Sequence, residues 1–179
     1  MISKVVFKKI RFNNINPNKF QRYITKSGLF VFPAGPALAS IKKSKIYYNS
    51  LLKADFVFFD SGFFVLLLKI FKNINVYKFS GYKFLSLFFN YIKKNKKKSI
   101  FSIDPNSNFS KSNQLYLKSL GIKKVNNYLA PKYKIKNFSD KKLLNQLKKK
   151  KPNFIIINIG GGIQEVLGLY LKKNLKFKV

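Results

Sequence analysis

The chain has 179 residues, of which 46% are hydrophobic and 17% aromatic, so it can fold around a sizeable core. It has no cysteine and no histidine, which excludes disulfides, Cys/His zinc sites, cysteine nucleophiles and histidine-dependent triads. Its 37 Lys+Arg residues against 5 Asp+Glu residues give a formal net charge of +32, and such a field attracts polyanions such as nucleic acid or an acidic membrane face.

Short β-rich runs alternate with longer stretches of helical spacing along the chain. Several of the runs are apolar throughout, as parallel strands buried on both faces are. The predicted strands span residues 29–32, 56–59, 75–79, 99–103, 126–129 and 154–159. The predicted helices span residues 17–26, 36–53, 62–71, 82–94, 109–120, 140–150 and 164–174. This alternation predicts an α/β fold with a Rossmann-like, mostly parallel sheet flanked by helices.

The sequence also gives expectations about targeting, membrane spans and completeness of the domain. The first twelve residues alternate charged and apolar side chains too quickly for a signal peptide, and the most apolar window, 56–71, is too short and too interrupted for a bilayer span. Residues 176–179 resemble the start of a strand, which predicts that the sheet is incomplete at the C-terminus. No repeat or linker interrupts residues 1–179, so we expect a single domain.

Carboxylates are scarce, and any general base or metal ligand must come from them. Their whole supply is Asp55, Asp60, Asp104, Asp140 and Glu165. No two of them form a D-x-D pair, so we expect neither a protein-held Mg²⁺ or Mn²⁺ site nor a cofactor.

Ligands of open α/β sheets bind beyond the carboxyl ends of the strands, and three such ends carry unusual residues. The first is Pro33-Ala34-Gly35-Pro36, whose small side chains would let a ligand approach the main chain. A plain strand-to-helix turn explains this segment equally well.

The second strand end is Asp60-Ser61-Gly62, directly after the apolar run 56–59. A carboxylate at this place can accept a proton from a bound hydroxyl group. It can equally cap the next helix through backbone N–H groups, and the residues alone leave both interpretations open.

The third strand end is Gly160-Gly161-Gly162, between a predicted strand and a predicted helix. Glycines there leave backbone N–H groups free to face an anion, and the helix N-terminus adds a favourable dipole. The pattern is neither G-x-G-x-x-G nor a P-loop, so it indicates a nucleoside, sugar or phosphate contact without specifying which.

Taken in order, these segments resemble the WecG/TagA/CpsF glycosyltransferase family. Residues 30–39 are similar to the first substrate loop of the family, and residues 54–62 (ADFVFFDSG) to its AD-apolar-DG signature. Residues 76–81 (VYKFSG) are similar to its R-x-[ST]-G block, with Lys78 in place of arginine. Residues 157–165 (INIGGGIQE) are similar to its GLGxPKQE segment.

The resemblance implies an inverting, metal-independent transfer of an N-acetylhexosamine-type sugar, of the N-acetylmannosamine or uronic acid class. The donor would be a UDP-sugar and the acceptor lipid-linked, in bacterial surface polysaccharide or teichoic acid synthesis. Asp60 would be the catalytic base. The implied substrate-binding residues are Pro33, Gly35, Ser61, Gly62, Lys78, Ser80, Gly81, Gly160, Gly161, Gly162, Gln164 and Glu165.

The same resemblance places the protein in the bacterial cytoplasm, peripheral on the inner face of the membrane, where the positive charge favours anionic lipid. It leaves homo-oligomerisation open and gives no reason to expect a specific nucleic acid. Family members continue beyond the segment matched here, so we expect a C-terminally truncated member. Two alternatives remain: an inactive truncated relative, and a basic module that binds nucleic acid or acidic membrane.

Overall fold

The computed structural model describes residues 4–24, 26–39, 41–95, 98–135 and 138–175. They form parallel strands flanked by helices, which confirms the predicted α/β fold class. The chain divides into two compact units, the first within residues 1–87 and the second within residues 88–178. The expectation of a single domain stays a prediction.

The first unit contains a four-stranded sheet in the order β1-β2-β4-β3. β1 and β2 are antiparallel, whereas β2 with β4 and β3 with β4 are parallel. Its strands are β1 (Lys4–Phe7), β2 (Ile10–Asn13), β3 (Phe30–Val31) and β4 (Phe56–Phe58). Its helices are α1 (Gln21–Ile24), α2 (Gly35–Ala39), α3 (Lys45–Leu52) and α4 (Gly62–Lys72), with 3₁₀ turns at Pro17–Lys19 and Ile41–Lys43. Helix α5 (Gly81–Lys94) crosses the boundary between the units.

Phenylalanine rings form much of the first unit's core. Phe12 stacks on Phe59 with ring centroids 4.8 Å apart, and Phe58 meets Phe79 edge-on at 5.4 Å. All four side chains are buried. Since Phe58 and Phe59 directly precede Asp60, this packing holds the end of β4 in place.

The second unit contains a three-stranded parallel sheet in the order β6-β5-β7. Its strands are β5 (Ser99–Asp104), β6 (Lys124–Leu129) and β7 (Phe154–Ile157), and its helices are α6 (Ser107–Ser119), α7 (Lys141–Lys150) and α8 (Ile163–Asn174). Leu143, Leu147 and Leu167 are fully buried against β5 residues Phe101 and Ile103. Helices therefore pack on the sheet through aliphatic side chains, as the predicted fold class requires.

Some predicted elements are wrong. Residues 75–79 form no strand, because isolated hydrogen bonds replace a ladder: the Tyr77 N–H donates to Asn14 Oδ1 and the Phe79 N–H to the Phe59 carbonyl. The predicted helix 36–53 is broken before Ser44, whose hydroxyl caps a new helix by accepting from the Tyr47 N–H.

The other differences lie toward the ends of the chain. The predicted helix 17–26 is a 3₁₀ turn followed by the short α1, and the hairpin of β1 and β2 was not predicted. The strand predicted at 176–179 lies outside the described residues. No helix within the described ranges has the length and apolarity needed to cross a bilayer.

Candidate functional site

The first unit brings the predicted loop 33–36 against the end of β4. A Cβ atom added to Gly35 would lie 2.8 Å from the hydroxyl oxygen of Ser61, so this hydroxyl would have to move from its cap on the Phe64 N–H. Pro33 is buried at the base of this loop. Glycine is therefore needed at position 35 so that the backbone of α2 can approach Ser61, and two of the three strand ends form one surface.

Asp60 caps a helix, but not the one that follows it in the sequence. Its Oδ1 atom accepts a hydrogen bond of 2.8 Å from the N–H of Gly81, the first residue of α5. The cap of α4 is instead Ser61, whose hydroxyl accepts from the Phe64 N–H at 3.2 Å. The expectation that Asp60 caps the next helix is wrong, because the adjacent serine takes that role.

The second oxygen of Asp60, Oδ2, makes no hydrogen bond within the described part of the chain, and the residue is half-buried. Asp60 is thus a carboxylate with one fixed and one available oxygen. Such a group can accept a proton from a hydroxyl brought within hydrogen-bond reach.

Positive charge surrounds this carboxylate. α4 begins at Gly62 and α5 at Gly81, and a helix N-terminus carries a partial positive charge. The Lys78 ammonium would be 3.4 Å from a Cβ added at Gly62, so the lysine lies over the start of α4. Ser80 completes this corner, since its hydroxyl accepts from the Lys83 N–H at 3.2 Å.

The first unit therefore brings together three of the four segments on which the family resemblance rests. The structure brings together one group of predicted residues: Gly35, Asp60, Ser61, Gly62, Lys78, Ser80 and Gly81. Contact of each residue with substrate stays a prediction.

The glycine turn in the second unit adopts backbone conformations that favour glycine. Gly160 has φ 98° and Gly162 has φ 89°, and nothing lies within 4 Å of a Cβ added at either position. The positive φ angles, rather than a lack of space for a side chain, therefore account for glycine at these two positions. Gly160 and Gly161 are exposed to solvent.

One N–H group of this turn is already engaged within the protein. The Gly162 N–H donates to Oε2 of Glu165 at 2.6 Å, so a carboxylate of the protein already occupies the start of α8. Glu165 is 2% exposed, and burial raises its pKa although backbone N–H groups and Gln164 favour the ionised form. The Gln164 amide donates weakly to Glu165 Oε1, at 3.4 Å. Glu165 stabilises the turn, and its contact with a ligand stays a prediction.

A second carboxylate, Asp104, ends β5 and is fully buried. Its Oδ1 accepts from the Ser102 hydroxyl and from the Asn113 and Asn158 amides, and its Oδ2 accepts from the Asn127 amide. Burial raises the pKa of the Asp104 carboxyl, but these donors outweigh it and hold the pKa below its ordinary value. The sequence signal for this network is one asparagine on or just after each neighbouring strand.

The described residues contain no cluster of three or more histidine, cysteine or acidic side chains that could hold a metal ion. A cavity of about 500 Å³ opens in the first unit, lined among others by Lys9, Arg11 and Asp55, and none of the predicted site residues lines it.

Parallel strands with polar groups at their carboxyl ends, beside helix N-termini, are typical of α/β proteins that bind nucleotides. The sequence of residues 4–179 matches the family model of the glycosyl transferase WecG/TagA/CpsF family. The chain belongs to this family and is thereby a glycosyltransferase, with a nucleotide-sugar donor and a lipid-linked acceptor in general. A search of curated protein sequences gives no match.

Proposed function

We propose that the chain transfers an N-acetylhexosamine-type sugar, of the N-acetylmannosamine or uronic acid class, from a UDP-sugar to a lipid-linked acceptor. The reaction inverts the anomeric carbon and serves bacterial surface polysaccharide or teichoic acid synthesis at the inner face of the membrane. One observation carries the proposal: the Asp60 carboxylate is fixed where α4 and α5 begin, with one oxygen available.

Asp60 is the general base of this proposal. As the acceptor hydroxyl oxygen attacks the anomeric carbon, its proton passes to Oδ2 of Asp60, and the bond from that carbon to the UDP oxygen breaks on the opposite face. The hydrogen bond from the Gly81 N–H keeps the carboxylate in place during the transfer. Attack from the face opposite UDP inverts the configuration.

The departing UDP gains negative charge, which positive groups must stabilise. The Lys78 ammonium and the start of α4 supply such charge next to Asp60. In this proposal these groups stabilise the departing UDP, and no protein-held metal takes part. Donor contacts by Gly160, Gly161, Gly162 and Gln164 in the second unit are part of the proposal through the family resemblance.

The direct test is a transfer assay with UDP-N-acetylmannosamine, a lipid-linked acceptor and the full chain, with and without EDTA. We expect a product whose anomeric configuration, read by NMR, is opposite to that of the donor, at a rate that EDTA does not change. Retained configuration or a requirement for added metal would overturn the mechanism. Absence of both transfer and UDP binding would favour the inactive relative instead.

Lys78 allows a narrower test. We expect Lys78→Ala to raise the donor KM by about tenfold, since one close charge on the pyrophosphate is lost. Lys42→Ala removes an equal charge from an exposed position of the same unit and should change KM less than twofold. Equal effects of the two substitutions would show that only overall charge matters and would remove Lys78 from the site.

A further inference from the structure

Helix α4 exposes large apolar side chains on its outer face. Phe63, Leu66, Ile70 and Phe71 have exposed fractions of 69%, 50%, 62% and 74%. At 100° per residue these four positions fall on one side of the helix, together with Leu67. We call this surface the α4 face.

The adjoining side of α4 is anchored in the core. Phe64 and Leu68 are buried, and the Phe64 ring lies 4.9 Å from that of Phe7 and 5.5 Å from that of Phe12. The helix therefore cannot turn its apolar residues inward without losing these contacts. Contiguous exposed apolar surface of this kind marks an interaction site.

Both charged side chains of α4 are positive. Lys69 and Lys72 are exposed in the last turn, and the helix contains no acidic residue. The only carboxylates of the first unit, Asp55 and Asp60, are hydrogen-bonded to the N–H groups of Leu29 and Gly81. The occupant of the α4 face must therefore combine an apolar interior with negative charge.

We propose that the α4 face enters the headgroup region of an anionic bilayer, with Lys69, which borders the face beside Leu66, on the lipid phosphates. Amphipathic helices of this composition lie in the membrane surface in that way. A second copy of the chain fits less well, because each copy carries a formal charge of +32 and would place like charges together.

This inference rests on the proposed function, and it explains how the acceptor reaches the site. Asp60 and Ser61 immediately precede α4, which is about 16 Å long at 1.5 Å per residue. A membrane that meets the side of α4 lies within one helix length of the proposed base. A lipid-linked hydroxyl can then approach Asp60 while its lipid remains in the bilayer.

The chain contains no tryptophan, so a single introduced one reports on its own surroundings. We suggest Phe71→Trp on the α4 face and, as matched control, Phe109→Trp, at a residue that is 59% exposed on α6. Vesicles of phosphatidylglycerol and phosphatidylcholine should blue-shift the Phe71→Trp emission, and brominated acyl chains should quench it. The Phe109→Trp emission should change little. If the Phe71→Trp emission does not shift when the protein is bound to vesicles, or if the emission of both variants shifts equally, the proposal is overturned.

Cosedimentation with the same vesicles gives a second measurement. The double substitution Ile70→Ser and Phe71→Ser should weaken binding by about tenfold or more, since two apolar side chains no longer enter lipid. Unchanged binding, or dimerisation that this variant abolishes in the absence of lipid, would contradict the proposal. Because vesicle binding needs no sugar donor, Asp60→Asn should bind normally, which separates failure of this inference from failure of the proposed function.

Discussion

At the scale of single residues, two carboxylates at strand ends have opposite surroundings. Asp104 is fully buried and accepts hydrogen bonds from four side chains, whereas Asp60 is half-buried and accepts one from a backbone N–H. A carboxylate whose oxygens are all engaged stabilises its surroundings but cannot readily accept a proton. This contrast supports the proposal that Asp60 serves chemistry, whereas Asp104 stabilises the second unit.

The lowered pKa of Asp104 sets the direction of a pH effect. Its contribution to stability is fully present above the pKa of the unfolded carboxyl, near 3.8, and is lost as the pH falls through the lower pKa of the folded state. We expect Asp104→Asn to lower the free energy of unfolding by roughly 2 kcal/mol at pH 7, because an amide places donors against donors. In urea titrations the difference from the unsubstituted chain should narrow toward pH 2.

Asp55→Asn is the control for this prediction, because Asp55 is an exposed carboxylate with a hydrogen bond to the Leu29 N–H. Its effect at pH 7 should stay below about 1 kcal/mol. A difference between Asp104→Asn and the unsubstituted chain that does not depend on pH would show that Asp104 acts through shape rather than charge.

At the scale of elements, the hairpin of β1 and β2 turns through two lysines. Lys8 has φ 45° and Lys9 has φ 64°, a left-handed conformation that two-residue hairpins reach most easily with asparagine and glycine. The Tyr48 hydroxyl donates to the Lys8 carbonyl at 2.9 Å and helps to hold the turn. The positive φ angles of Lys8 and Lys9 therefore strain the backbone of this turn.

We expect Lys9→Gly to raise the free energy of unfolding by about 1 kcal/mol, since glycine adopts positive φ without a Cβ clash. Thermal unfolding followed by circular dichroism would measure the change. Lys9→Ala removes the same charge but keeps the Cβ atom, and it should give no such gain. Equal stabilisation by both substitutions would mean that charge repulsion, not backbone strain, limits this turn.

The same hairpin explains what the sequence could not reveal about the fold. Without a glycine or asparagine between them, β1 and β2 carry no turn signal, and an alternating charged pattern hides them. Residues 75–79 have strand composition, but their hydrogen bonds go to Asn14 and Phe59, which only the tertiary structure brings near. Helices α4 and α7 were predictable because the capping residue and the apolar periodicity indicate the same helix start in each case.

At the scale of the whole molecule, the family and the fold class followed from ordered segments of sequence, and the match to residues 4–179 confirms them. The juxtaposition of Gly35 and Ser61 also followed, because strand ends of a parallel sheet share one edge. The position of Lys78 over Gly62 did not follow from that rule, since residues 75–79 form no strand. The hydrogen bond between Asp60 and the start of α5 did not follow, since 21 residues separate the two partners. The cap that Glu165 forms on Gly162 did not follow either, because the family resemblance assigned Glu165 to the substrate rather than to the turn.

The central claim is that Asp60 is the base of a glycosyltransferase. Asp60→Asn keeps an oxygen for the Gly81 N–H and removes the basic carboxylate, so the fold and UDP affinity should persist. The decisive measurement is the rate of sugar transfer by this variant under saturating donor and acceptor, beside the unsubstituted chain. We expect a fall of roughly 100- to 10,000-fold with an unchanged Kd for UDP. A variant that transfers sugar as fast as the unsubstituted chain would contradict the account.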